Sequence, residues 1–84
     1  MKKFILGGNL MKNMYSAEVQ RYGNPIDLSH HPHSTVLGVF NSKDEAENFI
    51  LEKEAPERYV EDLGGWIDTD CNCTFLYRIK IVPM

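Results

Sequence analysis

Alternation of apolar and polar side chains predicts the two longest strands of this chain. Between positions 14 and 22, Tyr15, Ala17 and Val19 alternate with polar neighbours, which is the pattern of a strand with one solvated face. A second alternating run spans 74–82 and ends before a proline. Its apolar face consists of Phe75, Tyr77, Ile79 and Ile81.

Two shorter strands and two connections fill most of the remaining pattern. Residues 35–40 are β-branched and apolar on both faces, which favours an inner position in a sheet. Residues 66–69 predict a short strand, and 68–73 the hairpin loop that joins it to the last strand. Residues 24–34 hold two prolines and no period, so we predict a long irregular connection there.

A capping box marks the start of one helix. The Ser42 hydroxyl is placed to accept from the Glu45 amide, and the Glu45 carboxylate to reach back to the Ser42 amide. Pro56 ends the helix, which we place at about 42–55, and then opens a second short helical turn over 56–63. The apolar stripe of the main helix consists of Ala46, Phe49, Ile50 and the stem of Lys53.

These elements predict an α+β fold with three or four strands. The sheet is mainly antiparallel, and the helix at about 42–55 packs on one face of it. We expect the helix stripe to meet the apolar face of the strand at 74–82. The opposite face of the sheet is then left partly exposed or used for contact.

The chain divides into an N-terminal extension, residues 1–13, and one small domain, residues 14–84. Gly7 and Gly8 can be encoded by a purine-rich ribosome-binding sequence a short distance before Met11. We therefore interpret residues 1–10 as a translated leader, with Met11 as the natural start. The alternative is that residues 3–6 form an edge strand and the two glycines a turn.

Charge and composition exclude several classes of protein. The 84 residues carry a net charge of −3, and the acidic residues concentrate between 44 and 70, which disfavours nucleic-acid binding. No apolar run approaches the roughly 20 residues of a membrane helix. The apolar stretch at 4–6 is too short for a signal peptide. We expect a cytoplasmic protein in which Cys71 and Cys73 stay reduced.

Histidines and cysteines form the one candidate metal site. His30 and His33 lie in the long connection, and Cys71 and Cys73 at the predicted hairpin tip, and these are ligands that zinc prefers. They meet only if the connection folds over the hairpin. The simpler interpretation is a polar surface loop and two ordinary cysteines, so we predict no cofactor and keep a small metal-binding protein as the alternative.

No residue pattern predicts catalysis. Asp68 and Asp70 disfavour a thiolate at the neighbouring cysteines, and no glycine-rich phosphate loop has the required spacing. We therefore expect a non-catalytic protein. A third hypothesis is an acidic inhibitor whose carboxylates imitate the phosphates of a nucleic acid.

The strand–helix segment at 37–50, followed by the strand at 77–81, resembles small bacterial and phage proteins of unknown function. In those proteins a strand ends in G-x-F-x-S, a helix begins with E-A-x-x-F-I, and a further strand closes the chain. Leu37 to Ile50 carries both motifs here. The resemblance implies the α+β fold and a bacterial or phage source, and it implies no catalytic residue.

The sequence therefore favours a protein-binding module, as an accessory or inhibitor protein of a phage or mobile element that acts on a host protein. Loops carry recognition while a scaffold holds them, and the two prolines limit the entropy lost on docking. We expect Tyr22 to lie outside, and Ile26 and Leu28 to be apolar anchors. The alternative is that both anchors fold back and cap the sheet. The predicted partner contacts are Tyr22, Ile26, Leu28, His30, His31 and His33.

Overall fold

The computed structural model describes residues 13–70 and 72–83. A π-helical turn, Ile50–Glu54, continues the helix, and a 3-10 turn covers Glu61–Leu63. The remaining elements are β1 (Asn13–Gly23), β2 (Thr35–Phe40), α1 (Lys43–Phe49), β3 (Arg58–Val60), β4 (Gly65–Thr69) and β5 (Cys73–Pro83). The translated-leader hypothesis concerns residues that lie outside the described part of the chain.

The described strands form one antiparallel sheet in the order β2-β1-β5-β4-β3. Strands β1 and β5 pair along their full length, from Asn13 opposite Pro83 to Gly23 opposite Cys73. The α+β class with one helix is confirmed, and so are the four predicted strands. The described sheet has five strands, which is one more than the upper limit that the pattern predicted.

The additional strand, β3, lies where the pattern predicted a helical turn after Pro56. Tyr59 pairs with Trp66 across the sheet, and their rings meet edge to face with centroids 5.0 Å apart. The Glu57 amide donates to the Ile67 carbonyl at 2.9 Å. These contacts with β4 hold the segment extended, so the prediction of a helical turn over 56–63 is wrong except for the 3-10 turn at its end.

Strand β2 lies at the edge of the described sheet, where it has one neighbouring strand rather than the two that an inner position requires. It pairs with β1 only, and the register shifts between Ala17 and Glu18 at a bulge. Val36 and Val39 lie opposite Glu18 and Ser16 and are about half exposed. Among the described residues, therefore, β2 is apolar on both faces without having a second neighbouring strand.

The predicted helix cap is present with one change of partner. The Ser42 hydroxyl accepts from the Glu45 amide at 3.1 Å, while the Glu45 carboxylate accepts from the Asn41 amide at 3.2 Å rather than from Ser42. The helix ends at Ala55, whose φ of 45° is left-handed, directly before Pro56. Both boundaries agree with the pattern.

The helix packs on the predicted face of the sheet. Ala46 and Ile50 have no exposed surface, and Ile50 joins Ala17 and Tyr77 in a buried cluster. Lys53, predicted to extend the stripe, is exposed. The π-helical turn rotates the last residues of the helix, so that the half-buried side chain is Glu54.

The opposite face of the sheet carries a second buried cluster, while other side chains of that face, such as Arg78 and Lys80, are exposed, so the face is covered only in part, as predicted. The buried members of the cluster are Tyr22, Ile67 and Leu76. These residues alternate with those that contact the helix, so they point to the other side of the sheet. The side chains that cover them are Ile26, Val60 and Leu63.

One hydrogen bond links the helix end to the core. The Tyr77 hydroxyl donates to the Glu54 carboxylate at 3.4 Å. Burial of the phenol, together with the negative charge and the hydrogen bond of Glu54, raises the pKa of Tyr77 to about 12. The folded protein therefore favours the protonated phenol.

This raised pKa predicts a loss of stability in strong alkali. The unfolded chain releases the Tyr77 proton near pH 10, its ordinary pKa, while the folded chain keeps the proton up to about pH 12. The free energy of unfolding therefore falls as the pH rises across this window, and the contribution is complete below pH 10. We expect Tyr77→Phe to remove this part of the decline in urea unfolding at increasing pH. The same decline in Tyr77→Phe as in the native chain, with Tyr59→Phe as the exposed control, would refute the assignment.

Candidate functional site

The long connection between β1 and β2 lies over the face opposite the helix. Ile26 is half-buried against the cluster of Tyr22, Ile67 and Leu76. Six residues further on, the Gln20 side-chain amide donates to the Pro32 carbonyl at 3.0 Å. An apolar contact and a hydrogen bond thus hold the two ends of the segment 26–32, which we call the tethered loop.

Gln20 is the polar centre of the attachment. Its Oε1 accepts from the Arg78 guanidinium and from the Tyr22 hydroxyl, the second at 3.4 Å, while its Nε2 donates to the loop. Arg78 extends from β5, the neighbouring strand. Because the amide has partners on both atoms, its orientation is fixed by the sheet, and the sheet in turn fixes the position of Pro32.

A tight turn forms the outer part of the tethered loop. The Asp27 carboxylate accepts from the Ser29 amide at 3.0 Å and from the Ser29 hydroxyl at 2.7 Å. The His30 amide donates to the Asp27 carbonyl at 3.1 Å. The hydroxyl and amide of Ser29 hold the pKa of Asp27 below its ordinary value. The turn from 27 to 30 is therefore closed by both side-chain and backbone hydrogen bonds.

Leu28 occupies the second position of this turn and points away from the protein. Its side chain is 61% exposed, the largest fraction among the exposed large apolar side chains of the described residues. Ile26, two positions earlier, is packed into the sheet face. The turn thus separates two apolar residues that the sequence alone treated as equivalent.

The residues predicted to contact a partner differ in how far the structure exposes their side chains. Tyr22 is only 7% exposed, so the expectation that its ring lies outside is wrong, because the ring belongs to the second core cluster. Ile26 folds back, as the alternative required, whereas Leu28 does not. The histidines are exposed in the connection between β1 and β2, with His33 one position beyond the tethered loop: His30, His31 and His33.

The candidate zinc ligands are not brought together where the structure describes them. Cys73 is a buried free thiol at the start of β5, whereas His30 and His33 are exposed in the connection between β1 and β2. Within 13–70 and 72–83, no three histidine, cysteine, aspartate or glutamate side chains form a metal-binding group. Cys71 lies outside these ranges.

Sequence reasoning missed two features of this region, the tether by Gln20 and the turn from 27 to 30. The tether by Gln20 depends on a hydrogen bond between residues twelve positions apart, for which the sequence has no signal. The turn does have one, since Asp27 followed by Ser29 two positions later is the spacing of a side-chain-closed turn.

No helix in the described part of the chain is long and apolar enough to cross a membrane. Comparison of the chain with protein-family models, with curated proteins and with solved structures finds no match. Any function therefore has to be argued from the geometry of this chain.

Proposed function

We propose that this chain is a protein-binding module that recognises its partner with the tethered loop. The observation that carries this function is Leu28, a large apolar side chain held outward at the second position of a turn closed by hydrogen bonds. Burying such a side chain in a partner contributes about 1.5–3 kcal/mol to binding. The expected partner surface is an apolar pocket.

The tethers support this function because they reduce the entropy lost on binding. Ordering a flexible loop opposes association, and a loop that is already fixed avoids much of that cost. Ile26 and the Gln20–Pro32 hydrogen bond fix both ends of the loop on the sheet. In this division of roles, Ile26 is an anchor to the scaffold and Leu28 is the anchor to the partner, with the exposed histidines around it.

The setting that we propose is the cytoplasm, and the wider role is that of a phage or mobile-element accessory or inhibitor protein acting on a host protein. The resemblance of the strand–helix segment supports the bacterial or phage source, and the long connection on a small scaffold supports the binding role.

Affinity capture with matched variants tests the proposed contact. We expect the full chain to retain a saturable partner from lysate of its natural host, and Leu28→Ser to lose it with no change in melting temperature. Val36→Ser is the control, because Val36 on β2 is a similarly exposed apolar side chain, 55% against 61%. This control variant is expected to bind as the native chain does.

A photo-crosslinking residue placed at position 28 gives a second measurement. We expect it to label the captured protein, and the same residue at position 36 not to label it. Retention of the partner by Leu28→Ser, or equal loss in Val36→Ser, would contradict a contact through the loop. Ile26→Ser separates the two roles, since it is expected to lower the melting temperature as well.

A further inference from the structure

We propose that the helix side of the sheet carries a second docking surface, which takes an arginine-bearing basic segment of a partner protein. The surface is a groove of about 440 Å³ between α1 and the strands β3, β4 and β5. We call it the aromatic groove, after the paired rings of Tyr59 and Trp66 that lie along it. It lies on the other side of the sheet from the tethered loop, so the two surfaces can be tested separately.

The walls of the aromatic groove combine exposed apolar and aromatic side chains. Tyr59 is 52% exposed and Leu51 is 47% exposed, while Trp66 and Ile79 are half-buried. The rings of Tyr59 and Trp66 meet at a centroid distance of 5.0 Å and an interplanar angle of 73°. The two rings therefore border the same groove at an angle to each other, and a flat cation can stack on a ring face that the other ring leaves uncovered.

Charge complementarity selects the occupant. The segment 43–70, which supplies every lining residue of the groove except Ile79, holds ten acidic residues and three basic ones, Lys43, Lys53 and Arg58. Glu47 lines the groove directly, on the helix wall. A basic segment is attracted to such a surface, whereas a second copy of this chain, itself net negative, is repelled.

Arginine suits this groove better than lysine. Its guanidinium is planar and stacks on aromatic faces, and it keeps donors free for a carboxylate such as Glu47. Its aliphatic stem can cover Leu51 and Ile79. Lys43 also lines the groove, one helical turn before Glu47, and its positive charge opposes the occupant. Removing the charge of Lys43 is therefore expected to strengthen binding.

Trp66 supplies the signal for the test, because it is the only tryptophan in the chain. The full chain is titrated with a blocked nonapeptide of alternating arginine and glycine while the tryptophan fluorescence is followed. We expect a saturable change in emission. Glu47→Gln is expected to weaken binding about fivefold, Lys43→Gln to strengthen it about threefold, and Tyr59→Leu to weaken it about tenfold.

Glu52→Gln is the matched control. Glu52 lies on the opposite flank of the helix, in a cleft with Val39 and Phe49, so this variant has the same net charge as Glu47→Gln. If both variants bind the arginine peptide equally weakly, the effect depends only on the net charge of the protein, and the aromatic groove is not the binding site. A lysine–glycine peptide that binds as tightly as the arginine peptide would overturn the stacking.

Two further outcomes would also overturn the proposed occupant. The first is equal binding of a glutamate–glycine peptide, since charge would then play no part. The second is self-association of the peptide-free chain in sedimentation velocity that Tyr59→Leu abolishes, since the occupant would then be a second copy. Melting temperatures of all variants are measured first, and the Glu47 and Lys43 variants, which change only groove-wall charges on the helix, decide the result if Tyr59→Leu is unstable.

Discussion

Replacing Ile50 by alanine is expected to lower the free energy of unfolding by about 4 kcal/mol. The Ile50 side chain has no exposed surface and contacts the cluster that joins the helix to β1 and β5 through Ala17 and Tyr77. Its truncation leaves a cavity at the junction of helix and sheet. Since small domains are stable by only about 5–15 kcal/mol, the loss is a large part of the total.

Leu51→Ala is the control for this change, because it removes a side chain of the same size one position along the helix. Leu51 is 47% exposed, so little burial is lost and we expect a decrease of about 1 kcal/mol or less. Urea unfolding monitored by circular dichroism measures both variants. Equal decreases for the two would show that the helix packs through another face.

Gly65→Ala is expected to destabilise the protein by about 3 kcal/mol. A β-carbon at position 65 would lie 2.2 Å from the Tyr77 carbonyl oxygen and 2.6 Å from Cγ of Arg78. The first of these is a backbone atom of β5, so relief requires β4 and β5 to separate. The glycine is thus needed for close approach of two strands.

Gly23→Ala is the matched control at the end of β1. There the new β-carbon meets nothing closer than the Pro25 carbonyl oxygen at 3.8 Å, which is ordinary contact. We expect a change within about 0.5 kcal/mol. If thermal unfolding shows Gly65→Ala to be as stable as Gly23→Ala, the register of β4 on β5 is wrong.

The sequence predicts those parts of the fold in which local signals and tertiary packing agree. The helix has a cap at Ser42, an apolar stripe and a terminating Pro56, and each of these acts within one or two turns. The strands β1 and β5 are long enough for their alternation to be unambiguous, and both are confirmed within one residue.

The sequence fails for elements that depend on distant contacts. Strand β3 has three residues, too few for a period, and it is extended because Tyr59 and Arg58 pair with β4. Strand β2 is apolar although it has only one neighbour among the described strands, and composition does not reveal the bulge at which its register on β1 shifts. In the first case, strand pairing outweighs the helical start that Pro56 predicted, and in the second, a bulge shifts a register that composition does not predict.

The candidate site is predictable only in part, and Ile26 and Leu28 illustrate the limit. Both are apolar, both lie in an irregular segment, and both were expected to behave alike. Ile26 is packed against the buried cluster and Leu28 is exposed, because the turn closed by Asp27 and Ser29 directs the chain away from the sheet between them. The aromatic groove was missed for a related reason, since Tyr59 was assigned to a helical turn instead of a strand beside Trp66.

Nuclear magnetic resonance relaxation of the backbone amides in the full chain measures whether the tethered loop holds Leu28 in a fixed outward position. We expect order parameters of about 0.85 for residues 27–30, equal to those of β1 and β5, and a decrease at these positions in a Gln20→Ala variant. Order parameters below about 0.6 for residues 27–30 in the native chain would contradict this expectation.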